Sequence, residues 1–93
     1  MREKVRAHVI ISGRVQGVFY RMETKRAADK CNTLGWVRNR RDGTVEALFE
    51  GDKTQVDSTI EWCRKGPSLA QVGSVDVKWA DYAGEFDRFE IRF

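Results

Sequence analysis

Proline occurs once in this chain of 93 residues, histidine once and cysteine twice. So little proline, with only eight glycines, argues against disorder. Cys31 and Cys63 are too few and too far apart for a zinc ligand set. His8 stands alone on a predicted strand and adds nothing to a metal case. No apolar run approaches the ~20 residues that cross a bilayer, so no membrane partner is expected. The opening Met1-Arg2-Glu3-Lys4 is not the apolar stretch of a secretory signal, and a cytoplasmic location is expected. The net charge of +3, from 17 basic and 14 acidic residues, is too mild to demand nucleic acid.

What is present suits one small globular domain spanning residues 1–93, with 41% hydrophobic residues and 33% charged ones. Five Phe, three Trp and two Tyr supply large units of buried area to a small core. Nothing forces a dimer, and a monomer is expected, although the open edge of a small sheet leaves association possible.

The periodicity predicts seven elements. Residues 5–12 alternate as a first strand, with Ala7, Val9 and Ile11 on one face and His8, Ile10 and Ser12 on the other. Residues 21–34 read as a helix, with Tyr20, Thr24, Ala27, Cys31 and Leu34 at helical spacing and Gly35 as its stop. Residues 36–41 and 44–50 read as two strands joined by Asp42-Gly43, a strong hairpin signal. Asp52, with Gln55 three positions on, reads as the cap of a second helix ended by Gly66-Pro67. Residues 75–79 and 89–93 alternate as two more strands.

The order β-α-β-β-α-β with one extra strand is that of an α+β fold, the ferredoxin-like split βαβ. It places two helices on one face of a mainly antiparallel, mixed sheet. In this topology the first two strands are parallel, with the third between them. Their C-terminal ends share one edge, which brings Arg38-Asn39-Arg40 beside the segment that leaves the first strand. Cys31 and Cys63 fall at opposite ends of the sheet, too far apart for a disulfide, so two free, packed thiols are expected.

That segment, Gly13-Arg14-Val15-Gln16-Gly17-Val18-Phe19-Tyr20-Arg21, carries the chemistry. A Gly-punctuated loop between a strand and a helix N-terminus points backbone N–H groups at one spot, where the helix dipole also favours an anion. Val15, Gln16, Gly17, Val18, Phe19 and Tyr20 form the candidate phosphate-binding loop. Arg21 adds a permanent cation with a forked set of donors. Taken alone, a first-turn arginine is a solvated residue that opposes the dipole; beside this loop, the unfavourable placement hints at an anion. Arg14, Lys25 and Arg38 are weaker candidates for steering one. Phe19 and Tyr20 read as packing residues, and Gln16 as loop support or solvent-facing. Taken alone, Asn39 is a strand-end residue; only its convergence on the loop singles it out.

The loop offers no Cys, Ser or Thr nucleophile, no Lys followed by Ser or Thr, no carboxylate pair and no histidine. Backbone amides, Arg21 and the Asn39 amide can bind a phosphoryl group and position a water. An acyl phosphate expels a carboxylate and needs no general acid, so it is the substrate class such a site suits, without metal or other cofactor. The products are a carboxylate and inorganic phosphate. Arg21 would hold the phosphate oxygens, and the Asn39 carbonyl would accept a hydrogen bond from the attacking water.

Residues 11–21, Ile-Ser-Gly-Arg-Val-Gln-Gly-Val-Phe-Tyr-Arg, closely resemble the phosphate-loop signature of the acylphosphatases. Gly35-Trp36-Val37-Arg38-Asn39, followed by Gly43-Thr44-Val45 and Gly51, resembles their second signature. The likeness runs through essentially the whole chain. It implies a metal-independent acyl-phosphate hydrolase in which Arg21 and Asn39 are catalytic. Departures are slight: Ile11 stands where valine is frequent, and Phe93 where tyrosine is common. A last expectation is that the Phe93 carboxylate ends near Arg21 and pins its guanidinium.

RNA-recognition domains share the strand and helix order, but they stack bases on aromatics of the first and third strands. Here the first strand is Val9-Ile10-Ile11, and the third puts Glu46 and Glu50 opposite Val45, Ala47 and Phe49. No nucleic-acid partner is therefore expected.

Overall fold

A computed structural model describes residues 3–93. Its elements are β1 (Lys4–Arg14), α1 (Tyr20–Lys30), β2 (Leu34–Asn39), β3 (Val45–Asp52), α2 (Lys53–Lys65), β4 (Gln71–Ala80) and β5 (Phe89–Arg92). The sheet order is β4-β1-β3-β2-β5. All neighbours are antiparallel except β2 and β5, which run in parallel. This is the expected ferredoxin-like α+β arrangement with its additional strand. Among the described residues, no helix is long and apolar enough to cross a membrane.

Alternation along β1 and β3 builds the core. Ala7, Val9 and Ile11 of β1 and Val45, Ala47 and Phe49 of β3 are fully buried on the face that the helices cover. Phe49 stacks on Phe89 of β5 with ring centroids 5.7 Å apart, tying the last strand to the sheet's centre. Burying a side chain of this size contributes about 1.5–3 kcal/mol. Helix α2 adds Val56, Ile60 and Cys63 to the same core.

The boundaries of α1 depart from the sequence reading. Its buried stripe is Tyr20, Thr24 and Ala28, and the helix stops at Lys30 with Cys31 as its C-cap. The chain turns at Asn32, which takes a left-handed φ of 52°. Asparagine tolerates that region because its short polar side chain bonds locally. Gly35 therefore does not end the helix. It lies inside β2, opposite Phe49 of β3, at φ 135°. A Cβ built there would sit 1.8 Å from the Leu48 carbonyl oxygen, so close approach of β3 is what requires glycine.

Asp52 does occupy the N-cap position of α2, but its side chain makes no capping hydrogen bond. It forms an ion pair with Lys4 at 3.0 Å instead. The Asp42-Gly43 hairpin forms as expected. Arg40 N–H donates to Thr44 O at 2.8 Å, and the Asp42 carboxylate accepts from the Thr44 N–H and hydroxyl.

The connection from β4 to β5 is fastened by a buried carboxylate. Glu50 accepts hydrogen bonds from the N–H groups of Ala83 (2.9 Å) and Glu85 (3.3 Å) and pairs with Arg6 at 3.2 Å. Arg6 also reaches Glu85 at 2.6 Å, and that hydrogen bond leads the interactions that raise its pKa.

Candidate active site

Three strand ends and one helix start meet at a single edge. The loop after β1 is anchored from below: Val15, Val18 and Tyr20 are buried. Tyr20 donates its hydroxyl to Cys63 O at 2.6 Å and packs on Trp62. Between these anchors the backbone turns back on itself. Gly17 takes φ 74° and Phe19 takes φ 64°. Left-handed residues separated by one ordinary residue aim successive N–H groups toward one point. Among the described residues, the N–H groups of Gln16, Gly17, Val18 and Phe19 donate to no protein acceptor. Phe19 is also the N-cap of α1 and makes no side-chain capping bond. The first-turn N–H groups of α1 are thus left for an anion.

Phe19 corrects one expectation. It is not a packing residue: its ring is 65% exposed. A bulky residue held at positive φ with its ring in solvent is a strained arrangement, and such strain concentrates at functional sites. Tyr20, by contrast, packs as expected.

Gln16 supports the loop, one of the two roles expected of it, through partners that a one-dimensional reading could not name. Its side-chain amide donates to Arg40 O at 2.7 Å and to Thr44 O at 2.9 Å. Those two carbonyls flank the β2–β3 turn, immediately after Asn39. One side chain thus fastens the loop to the hairpin that carries Asn39, and nothing in local spacing marks a contact 24 residues away.

Arg21 lies in the first turn of α1 and is held by the last strand. Its guanidinium donates to Arg92 O at 3.3 Å and lies over the Phe93 ring, 4.7 Å from the centroid. The expected pinning of Arg21 by the Phe93 carboxylate is not what the structure contains. Among the described residues the C-terminal contact is made by the ring and by a backbone carbonyl. Asn39, half-buried at the end of β2 and opposite Val45, has no side-chain hydrogen bond among the described residues. Arg21 and Asn39 line the same cleft, of ≈ 310 Å³, with Val15, Gly17, Tyr20 and Ile91.

The weaker steering candidates differ from one another. Lys25 pairs with Asp29 at 2.9 Å and donates to Phe89 O, and Arg38 pairs with Glu46 at 2.6 Å. Both charges are therefore largely answered within the chain. Glu46 also meets His8 at 2.6 Å on the helix-free face of the sheet. Burial raises the Glu46 pKa, but hydrogen bonds from His8 and Arg38 outweigh it and hold the carboxyl below its usual range. That face thus carries acidic groups at β3, the feature that argued against base stacking.

The cysteines are free, as expected. Cys63 is buried, and burial pushes its thiol up to about 12, whereas Cys31 is partly exposed. Reactivity follows thiolate fraction and access. At neutral pH, iodoacetamide is expected to modify Cys31 alone in the folded protein and both thiols in denaturant, as read by mass spectrometry.

A family model described as Acylphosphatase matches residues 7–91. An acylphosphatase of Pelotomaculum thermopropionicum is 51% identical over 90 residues, covering 97% of this chain and 98% of that protein. An acylphosphatase of Pyrobaculum calidifontis is 54% identical over 90 residues, covering 96% of this chain and 82% of that protein. The crystal structure of acylphosphatase from Bacillus subtilis shares the fold with a TM-score of 0.92 at 35% identity, covering 96% of this chain and 99% of that one.

Proposed function

The chain belongs to the acylphosphatase family and hydrolyses acyl phosphates; from that premise we propose how its residues break the acyl–phosphate bond. The phosphoryl group sits in the loop of residues 15–20, its oxygens taking hydrogen bonds from the free N–H groups there and from Arg21. A water held by the Asn39 side-chain carbonyl attacks phosphorus as the bond to the acyl oxygen breaks. The carboxylate departs with the bonding electrons, and the water proton passes to a phosphate oxygen. Inorganic phosphate remains. Little covalent chemistry is asked of the protein, so positioning and charge stabilisation supply the rate.

One observation carries this reading: Arg21 and Asn39, 18 positions apart in sequence, line one cleft beside a run of unpaired N–H groups. Among the described residues lining that cleft there is no carboxylate, imidazole or thiol side chain. Its own side chains therefore supply neither a metal ligand set nor a covalent nucleophile, in keeping with a metal-independent reaction. Every residue invoked comes from one copy of the chain, and a monomer suffices.

Hydrolysis of benzoyl phosphate, followed with and without a chelator, tests the scheme. Asn39→Ala is expected to lower kcat about 100-fold with little change in KM, because the lost contact orients water and not substrate. Activity abolished by chelator would rule out the metal-free step, and full activity in Asn39→Ala would remove the role given to that residue.

A further inference from the structure

We infer that the site prefers acyl phosphates with a neutral, apolar acyl group, and that Met22 is a specificity-determining residue for it. The inference rests on the hydrolytic reading above and adds the class of leaving group.

Six large hydrophobic side chains are strongly exposed among the described residues: Phe19, Met22, Leu69, Trp79, Tyr82 and Phe93. Three of the six, Phe19, Met22 and Phe93, line the one cleft that holds Arg21 and Asn39. A fourth, Leu69, faces Phe19 and Met22 across an adjoining groove. Single exposed apolar residues need no explanation, but their collection around one mouth marks a binding surface. The cradle itself has no use for them, since a phosphoryl group asks for N–H donors and positive charge.

Size points the same way. The cleft of ≈ 310 Å³ has room for about ten waters' worth of liquid volume, more than a phosphoryl group alone would take up. The remainder is bounded by Met22 and the Phe19 and Phe93 rings. Among the described residues no lysine or arginine besides Arg21 lines the cleft. The charged side chain nearby, Glu23, lies in the adjoining groove and is paired with Arg26 at 3.5 Å, so it offers an anionic acyl chain no partner. Met22 sits one residue after Arg21 on the first turn of α1, and its unbranched thioether adapts to aliphatic and aromatic shapes alike.

Values of kcat/KM for benzoyl phosphate and acetyl phosphate decide the matter, measured on the unmodified chain and on Met22→Gln and Met22→Leu. Met22 is 49% exposed, so neither substitution disturbs the core. The unmodified chain is expected to favour benzoyl phosphate by about tenfold or more. Met22→Gln is expected to cut that ratio about fivefold, chiefly by raising KM for the aryl substrate, and Met22→Leu to restore most of it. A ratio that survives Met22→Gln, or the absence of any aryl preference in the unmodified chain, overturns the inference while leaving the hydrolytic reading intact. Failure of the unmodified chain to hydrolyse either compound overturns both.

Discussion

Replacing Arg21 by alanine is expected to lower kcat/KM for an aryl acyl phosphate on the order of 10³-fold without loss of stability. Among the described residues the guanidinium is the one cationic side chain lining the cleft. In the proposed scheme its forked donors span two phosphate oxygens at once, which neither a lysine ammonium nor a water can reproduce. Charge shifts toward those oxygens and the departing carboxylate as the bond breaks, so the loss falls on the transition state and lowers kcat as well as kcat/KM. Stability is expected to hold or rise slightly. A cation in the first turn of α1 opposes the helix dipole, and removing such a charge relieves about 0.3–1 kcal/mol at an exposed position. Arg21→Ala thus separates the two roles: steady-state kinetics should collapse while the thermal midpoint stays put or climbs. A parallel fall in both would mean that Arg21 is holding the loop together rather than holding the substrate.

Gly35→Ala is expected to do the reverse and attack the fold first. A methyl group at this position meets the Leu48 carbonyl oxygen at 1.8 Å, and that oxygen belongs to backbone paired in the centre of the sheet. The φ of 135° is strained for any residue with a Cβ, whatever space is made. Relief requires β2 to move off β3, which breaks the ladder at Trp36–Leu48 and shifts Asn39 four residues along the same strand. A cost of at least ~3 kcal/mol is expected, a large share of the stability of so small a chain. Urea titration should show a lower midpoint with a similar slope. A variant with an unchanged midpoint would show that the two strands separate at little cost.

These two positions also show how much of the molecule its sequence discloses. The strand and helix order followed from alternation and helical spacing, because each element buries one face. The Asp42-Gly43 turn announced itself chemically. The Gly13–Arg21 loop could be read as an anion cradle because dipole, N–H groups and cation are local properties. Asn39 needed the strand order, which local properties do imply once parallel β1 and β2 are recognised. What escaped was set by contact across the sheet. Gly35 looked like a helix stop because glycine serves both uses, and only the approach of Leu48 decides between them. Asp52 sat where a cap belongs yet turned to Lys4. The side-chain bonds of Gln16, the exposure of Phe19 and the use of the Phe93 ring in place of its carboxylate all depend on distances between residues far apart in the chain, on which no periodicity bears.

The hold of Arg92 and Phe93 on Arg21 has a consequence for the order in which competence is acquired. Donor and acceptor are 71 positions apart, so the contact closes everything from α1 to β5 into one loop. The cradle can take shape once β1, α1 and the hairpin have assembled, but its guanidinium is steadied only when β5 docks beside β2. Regain of turnover during refolding therefore reports the arrival of the final strand, whereas the packing of Trp62 on Tyr20 reports the meeting of the two helices.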